Sequence, residues 1–297
     1  MGSSTGNILV DDDEVLERIF KNAELLIATH CEDESTIKRN LNAAIDQYGE
    51  NIPWSIHPQI RSEEGCNLSS SKAIALAKKT DARLHILHIS TGKEVQLFDN
   101  QTPLKDKRIT SEVCVHHLSF DDSQYEEKGS LIKCNPAIKS VSDQEQLWHG
   151  LLDDHLDIIA TDHAPHTWEE KLGNYLSAPS GLPLVQHSLA LMVDHYHHAR
   201  ISPELIVHKM CHAPAICFQI KERGYLREGY FADVIIADPH EKWTVEKSNI
   251  LYKCGWSPLE GTELRGRNLT TIVSGNIVYH DEIFYPEHQG MRLAFDR

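Results

Sequence analysis

Short apolar runs alternate with longer amphipathic stretches along the first two thirds of the chain. The runs predict buried strands at residues 25–29, 84–88, 109–115 and 157–161. Amphipathic spacing predicts helices at residues 13–23, 35–48 and 69–79, the last capped by a serine cluster. Another helix is expected to begin at Ser202-Pro203-Glu204, where a serine cap precedes a proline. Strands that alternate with helices indicate an α/β fold with a parallel sheet.

The pattern changes near Arg223. Glycines and prolines then separate short β-type runs at residues 232–237, 270–273 and 277–279, which favour a separate antiparallel segment. We therefore divide the chain at residues 1–222 and 223–297. Four parallel strands cannot close a barrel, which normally takes eight. Either the sheet is open, or the front half of a barrel is missing from the sequence.

Composition narrows the classes of partner. A formal net charge of −15 disfavours nucleic acid and anionic membrane surfaces. Seven cysteines without regular pairing suggest reduced thiols. The N-terminal residues have neither a basic nor an apolar signal region, and no apolar run reaches membrane-spanning length. We expect a cytoplasmic protein. Nineteen histidines favour a metal site.

Three of the four predicted strands end in good metal ligands, namely His30, His88 and Asp162. The carboxyl ends of parallel strands are where barrel enzymes place their reacting groups. Side-chain alternation puts His88 on the same face as Leu84 and Ile86, with His85 on the other face. Two imidazoles and a carboxylate suit zinc. The alternative at Asp162 is a helix cap beside surface histidines.

Further polar residues lie near these strand ends. The strand at residues 109–115 and the positions after it carry Glu112, His116 and His117, which we interpret as supporting or structural groups; the alternative is that one of them reaches the site. Asn135, held in extended geometry before a proline, is a candidate to bind a substrate amide, or else an ordinary turn residue. His166 is a candidate to hold an anionic substrate.

Two other groups are interpreted as structural. Cys31 points away from its neighbour His30 and is expected to pack in the core. Arg61, Glu63 and Glu64 are expected to form an ion-pair cluster.

Several phrases occur in the order typical of one family. They are IATHCED, HPQIRSEEGC, LHILHIST, TSEVCVHHL, KCNPAIK, ATDHAPH, GYLREGYFADVIIADP and GWSPLEG. The chain resembles dihydroorotases of the cyclic amidohydrolase superfamily over essentially its whole length. This resemblance implies a partial TIM (β/α) barrel of the metal-dependent amidohydrolase type, with a C-terminal β-rich segment of a small composite β domain. It also implies zinc-dependent, reversible cyclisation of N-carbamoyl-L-aspartate to L-dihydroorotate in pyrimidine biosynthesis.

The resemblance assigns roles to particular residues. His30, His88 and Asp162 match metal ligands of a site that holds two zinc ions, and Asp162 also matches the catalytic acid and base. Substrate contacts are implied for Asn135, His166, Ser180 and Gly181. It further implies a homodimer or association with aspartate carbamoyltransferase.

The sequence also departs from the family pattern. A His-x-His pair with its arginine, a further asparagine and a bridging lysine or aspartate are not matched, and residues 2–7 resemble the stretch just after the bridging position. We therefore expect only the C-terminal two thirds of a dihydroorotase, with weak zinc binding and little turnover by this polypeptide alone. The alternatives are a dihydropyrimidinase, hydantoinase or allantoinase, a non-catalytic dihydroorotase-like subunit, and an incomplete gene.

Overall fold

The computed structural model describes Val10 and residues 12–296, so the predicted likeness of residues 2–7 lies outside the described residues. The chain forms two compact units. The first contains the residues up to Gln186 together with Lys247–Pro258, and the second contains His187–Glu246 and residues 259–296. The domain boundary between residues 222 and 223 that the sequence suggested stays a prediction.

A four-stranded parallel sheet forms the centre of the first unit. Its strands are β1 (Ile27–Thr29), β2 (Leu84–Ile86), β3 (Ile109–Cys114) and β4 (Ile158–Ala160), in that spatial order. All four predicted strands are confirmed. Leu84, Ile86 and Val113 are fully buried, as expected of a sheet covered by helices. The parallel order brings the carboxyl ends of all four strands to one edge.

Helices follow the strands of this unit. Side-chain caps begin several of them: Asp12 accepts a hydrogen bond from the Val15 amide at 2.9 Å, and Asp33 accepts one from the Thr36 amide at 2.8 Å. The helices are α1 (Asp13–Asn22), α2 (Glu34–Tyr48), α3 (His57–Ile60), α4 (Glu63–Thr80), α5 (Gly92–Val95), α6 (Val115–Ser119), α7 (Tyr125–Lys128), α8 (Val141–Leu152) and α9 (Trp168–Lys171).

The start of α4 differs from the prediction. The helix begins at Glu63 rather than at residue 69, because Ser62 supplies the cap and accepts a hydrogen bond from the Gly65 amide at 3.3 Å. The serine cluster that we expected to cap the helix lies inside it. Ser70 is fully buried there and donates a hydrogen bond to Glu94 at 2.5 Å.

A hydrophobic cluster packs beside α2 in the same unit. Its buried members are Ile37, Ala44, Ile52, Ile60 and Tyr175. Burial of each large apolar side chain contributes about 1.5–3 kcal/mol. The amphipathic spacing along α2 thus fixes which face of the helix turns inward.

The second unit contains the predicted antiparallel segment, which is confirmed. Its sheet has the order β5 (Val234–Thr244), β6 (Glu263–Val273), β7 (Asn276–His280) and β8 (Ile283–Phe284). Its helices are α10 (Ser188–His197), α11 (Pro203–Val207) and α12 (Ala213–Cys217). Ser202 caps α11 as predicted, accepting a hydrogen bond from the Leu205 amide at 3.2 Å. None of the helices in the described ranges combines the length and apolar character needed to cross a membrane.

Candidate metal and substrate site

The three predicted metal ligands follow three different strands at the carboxyl edge of the sheet. His30 comes directly after β1, His88 lies two residues after β2, and Asp162 lies two residues after β4. His88 and Asp162 both have positive φ, 40° and 41°. The chain therefore leaves the extended conformation at these residues. This turn ends the side-chain alternation before His88, so the parity argument that selected it does not apply.

His30 and His88 meet directly. The Nδ1 atom of His30 lies 3.1 Å from Nε2 of His88, and the rings pack edge to face with centroids 4.8 Å apart. Burial, followed by the neighbouring His30, holds the pKa of His88 well below its usual range. A neutral imidazole is the form that binds metal ions. Two nitrogens on a tetrahedral zinc ion would be about 3.3 Å apart, so the observed spacing fits a shared ion.

Behind His30 lies an ion pair that the sequence analysis missed. Glu32 accepts from the Arg61 guanidinium, and its carboxylate oxygen lies 3.2 Å from Nε2 of His30. Burial raises the pKa of Glu32, but Arg61 and His30 outweigh burial and hold it well below its usual range. A carboxylate on the second nitrogen of a histidine orients the ring and raises its basicity toward a metal.

The expected cluster of Arg61, Glu63 and Glu64 is not what the structure contains. Each of these residues has a different ion-pair partner: Glu32 for Arg61, Lys93 for Glu63 and Arg39 for Glu64. The spacing His30-Cys31-Glu32 was the available signal for the true partner. Cys31 is buried as predicted, and burial raises the pKa of its thiol to about 12.

Asp162 is solvent-exposed in this chain and yet has a perturbed carboxyl group. Partial burial and then the carboxylate of Glu112 raise its pKa, whereas His30 lowers it. The Glu112 carboxylate in turn contacts His85, whose Nε2 lies 3.1 Å away. Asp162 thus lies within electrostatic reach of both His30 and a second carboxylate. This environment favours a proton on Asp162 more than water would.

Three of the four predicted substrate residues come together. Nε2 of His166 donates to the Ser180 carbonyl at 3.1 Å, and Nδ1 lies 3.7 Å from Glu170. Gly181 has a φ of 144°, and a Cβ there would lie 2.5 Å from the Ala164 carbonyl oxygen. Only glycine therefore allows this close approach of two backbone segments.

The fourth predicted substrate residue, Asn135, is tied to this group through the main chain. The Gly181 amide donates to the Lys133 carbonyl at 2.9 Å, two residues before Asn135. Asn135 is buried. Asp162 raises the pKa of the neighbouring Cys134, after burial, so the carboxylate lies within electrostatic reach of this segment.

Two buried lysines fix the loop that carries Ser180. The Lys133 ammonium donates to the carbonyls of Tyr175 and Ala178 at 2.7 and 2.6 Å. The Lys171 ammonium donates to the carbonyls of Pro179 and Gly181 at 2.9 and 3.1 Å. The sequence analysis gave these lysines no role, because neither stands in a pattern that indicates burial.

A second group of donor atoms lies at the end of β3. Cys114, His116 and His117 place one ligand atom each within 4.8 Å of one another. Together with His30, His88 and Asp162, every strand of the parallel sheet thus has a metal-binding type of side chain at its carboxyl end.

Comparisons with known proteins give the family. The amidohydrolase family matches residues 11–278. The dihydroorotase of Pyrococcus abyssi is 32% identical over 295 residues, which cover 99% of this chain and 65% of that protein. The dihydroorotase of Clostridioides difficile is 32% identical over 278 residues, which cover 92% and 63%. The chain therefore spans just under two thirds of the length of these relatives.

A solved structure is also similar. The L-hydantoinase (dihydropyrimidinase) of Arthrobacter aurescens superposes with a TM-score of 0.87 at 25% identity, covering 96% of this chain and 64% of that one. This likeness confirms the predicted α/β fold of the TIM-barrel amidohydrolase type, and the two relatives confirm the resemblance to dihydroorotases. Because the family match extends over most of the sequence, the chain belongs to the amidohydrolase family.

Proposed function

We propose that this chain forms the metal-binding and substrate-binding part of a dihydroorotase, which interconverts N-carbamoyl-L-aspartate and L-dihydroorotate. The observation that carries the proposal is the meeting of His30 and His88 at 3.1 Å, with Asp162 in electrostatic reach. The identity of the substrate is inferred from the similarity to the dihydroorotase relatives. The proposal includes assembly as a homodimer or with aspartate carbamoyltransferase, in the cytoplasm.

The donor set fits zinc. His30 and His88 would hold one ion and Asp162 would bind a second, as two imidazoles and one carboxylate suit a borderline cation. Bound zinc supplies polarisation of the amide carbonyl and a lowered pKa for the attacking water. Glu32 would keep the His30 ring in its binding orientation.

Asp162 is assigned the proton transfer. In ring opening, water adds to the ring amide carbonyl and the bond between carbonyl carbon and nitrogen breaks. Asp162 takes one proton from the water and delivers it to the departing nitrogen, and ring closure reverses both transfers. A raised pKa suits this role, because the carboxyl group then accepts and releases a proton more evenly.

His166, Ser180 and Gly181 are assigned to substrate binding. Nε2 of His166 donates to the Ser180 carbonyl, and Nδ1 lies 3.7 Å from the exposed Glu170 carboxylate. The exocyclic carboxylate of dihydroorotate would replace Glu170 at this nitrogen. Asn135 would bind a ring amide.

Substrate comparison tests the proposal. The zinc-loaded protein that carries this chain should hydrolyse dihydroorotate, followed by ultraviolet absorbance, in preference to dihydrouracil, hydantoin and allantoin. Asp162→Asn should lower kcat by about 10²- to 10⁴-fold, whereas Asp46→Asn, at an exposed position on α2, should leave it unchanged. Wild-type kcat in Asp162→Asn would overturn the assignment.

A hydantoinase or dihydropyrimidinase activity is the second candidate, favoured by the TM-score of 0.87 to such an enzyme. Its substrates lack the exocyclic carboxylate, so His166→Asn would leave their KM unchanged. Under the dihydroorotase proposal the same substitution raises KM for dihydroorotate. Preference for hydantoin or dihydrouracil would decide for the second candidate. A metal-loaded protein without turnover of any of these substrates would instead favour a non-catalytic subunit.

A further inference from the structure

A second group of donor atoms lies at the carboxyl end of β3, between the strands that carry His88 and Asp162. Cys114 is the last residue of β3, and α6 begins at the next residue. This change from strand to helix brings Cys114 next to His116 and His117, whose ring centroids are 4.2 Å apart. One ligand atom of each residue lies within 4.8 Å of the others.

All three side chains are removed from solvent. Their relative exposures are 0% for Cys114, 1% for His116 and 2% for His117. Among the described residues, neither ring nitrogen of His116 has a hydrogen-bond partner, nor does Nδ1 of His117. Buried polar atoms are nearly always paired, so one unpaired nitrogen on each ring beside a thiol indicates a ligand shared by the two rings.

The remaining contact of His117 prepares it for such a ligand. Its Nε2 donates to the Pro136 carbonyl at 3.2 Å. The proton therefore lies on Nε2, and the lone pair of Nδ1 is directed elsewhere. A histidine that binds a metal through one nitrogen typically donates the other N–H to a carbonyl or a carboxylate.

We propose that Cys114, His116 and His117 bind one borderline divalent cation of the zinc type, at a site separate from His30, His88 and Asp162. One sulfur and two imidazole nitrogens are zinc ligands, whereas magnesium and calcium prefer oxygen. Ligands on a tetrahedral ion are about 3.3–3.8 Å apart. The group needs to contract by only about 1 Å from its present maximum spacing to reach this geometry.

Such an ion would have a structural role. It would join the end of β3 to the first turn of α6 and, through the His117 bond to Pro136, to the segment that contains Asn135. The inference does not depend on the substrate of the first site or on turnover.

Cobalt substitution provides the test, because Co²⁺ bound to a thiolate gives a charge-transfer band that imidazole and carboxylate ligands do not. The chain is purified as the His30→Asn/His88→Asn variant, which disables the first site, and is loaded with Co²⁺. We expect about one Co²⁺ per chain with a thiolate band. Cys114→Ser in this background should abolish the band and weaken binding by more than about tenfold, given that even groups behind a ligand alter affinity 10- to 100-fold.

The controls separate loss of a ligand from loss of the fold. Cys217→Ser removes another buried thiol, in α12, and should keep the band. His116→Asn and His117→Asn should each weaken Co²⁺ binding while the circular dichroism spectrum stays that of the parent. A folded wild-type chain without a thiolate band, or a band that survives Cys114→Ser, would overturn the proposal. Failure of dihydroorotate turnover would leave this result unaffected, so the two proposals fail independently.

Discussion

Nδ1 of His30 and Nε2 of His88 lie 3.1 Å apart, although 58 positions separate the two residues in the sequence. The contact exists because β1 and β2 are parallel neighbours, paired from Ile27 with Leu84 to Thr29 with Ile86. Both histidines therefore leave the sheet at the same edge. No local sequence pattern requires this meeting, which depends on the tertiary arrangement.

Removing either histidine should impair metal binding. In a Cys114→Ser background, His30→Asn and His88→Asn each delete one nitrogen of the pair, and we expect the zinc affinity of this site to fall by more than about tenfold. Competition with a chromophoric chelator measures this change. His198 is the exposed C-cap residue of α10, and the His198→Asn variant should bind zinc like the wild type. Unchanged affinity in both site variants would refute the assignment.

The Arg61–Glu32 pair should stabilise the fold as well as orient His30. Arg61→Met leaves the buried Glu32 carboxylate without its cation, which costs about 3–5 kcal/mol of unfolding free energy. Urea unfolding gives the value. The exposed pair of Arg39 and Glu64 is the control, and Glu64→Gln should cost only about 0–1 kcal/mol. Equal effects of the two substitutions would contradict the structural interpretation.

The same pair predicts a pH dependence. The pKa of Glu32 is lower in the folded chain than its ordinary value of 4.5, so the folded state binds fewer protons than the unfolded state as the carboxylate titrates. Its contribution to stability is therefore complete above about pH 4.5 and is lost as the pH falls further. In Glu32→Gln this part of the acid destabilisation should disappear. If the free energy of unfolding fell equally with pH in the two proteins below about pH 4.5, this contribution of Glu32 would be ruled out.

The buried Lys171 should make stability depend on pH in the alkaline range. Burial lowers the pKa of Lys171 from 10.5 to about 8, so the folded state loses this proton at a lower pH than the unfolded state does. Between these values the unfolded state binds more protons, and stability should rise with pH. Denaturant unfolding of wild type and Lys171→Met from pH 7 to 10.5 should show a smaller rise in the variant, which keeps only the part due to Lys133, whose pKa burial also lowers to about 8. Lys38→Met, at an exposed lysine, should retain the full rise.

Gly181 predicts a steric effect. A methyl group at this position would lie 2.5 Å from the Ala164 carbonyl oxygen, on a backbone with a φ of 144°. Gly181→Ala should therefore lower the free energy of unfolding by about 1–3 kcal/mol. It should also raise KM for dihydroorotate, since the loop beside His166 has to move. Gly290→Ala, where the added methyl meets no atom within 4 Å, is the control. Thermal unfolding together with steady-state kinetics measures both effects.

Hydrophobic periodicity and cap signals were enough to predict the four parallel strands, four of the twelve α-helices of the described residues and the antiparallel segment, because burial of one face dictates such patterns. It also located His30, His88 and Asp162 at strand ends. Side-chain alternation along β2 does not explain the position of His88, since the strand ends at Ile86 and His88 has a positive φ. Local rules describe regular backbone and cannot anticipate where it stops.

Partnerships across long separations were out of reach of the sequence. Glu32 meets Arg61 across 29 positions, and Lys133 meets Ala178 across 45. The buried lysines were missed for a physical reason: an ammonium group in the interior is stable only where carbonyl groups converge on it. Such convergence is a property of the folded loop and leaves no composition signal.

Lys133 and Lys171 donate hydrogen bonds to main-chain oxygens of the segment from Tyr175 to Gly181. Every amino acid has a main-chain oxygen, so these bonds do not depend on the side chains of the segment. The path of this loop should therefore depend little on the identity of an exposed side chain such as Leu176. Randomising this position should alter the exposed surface of the loop without displacing its main chain. The two lysines thus make the loop a natural starting place for redirecting substrate range by directed evolution.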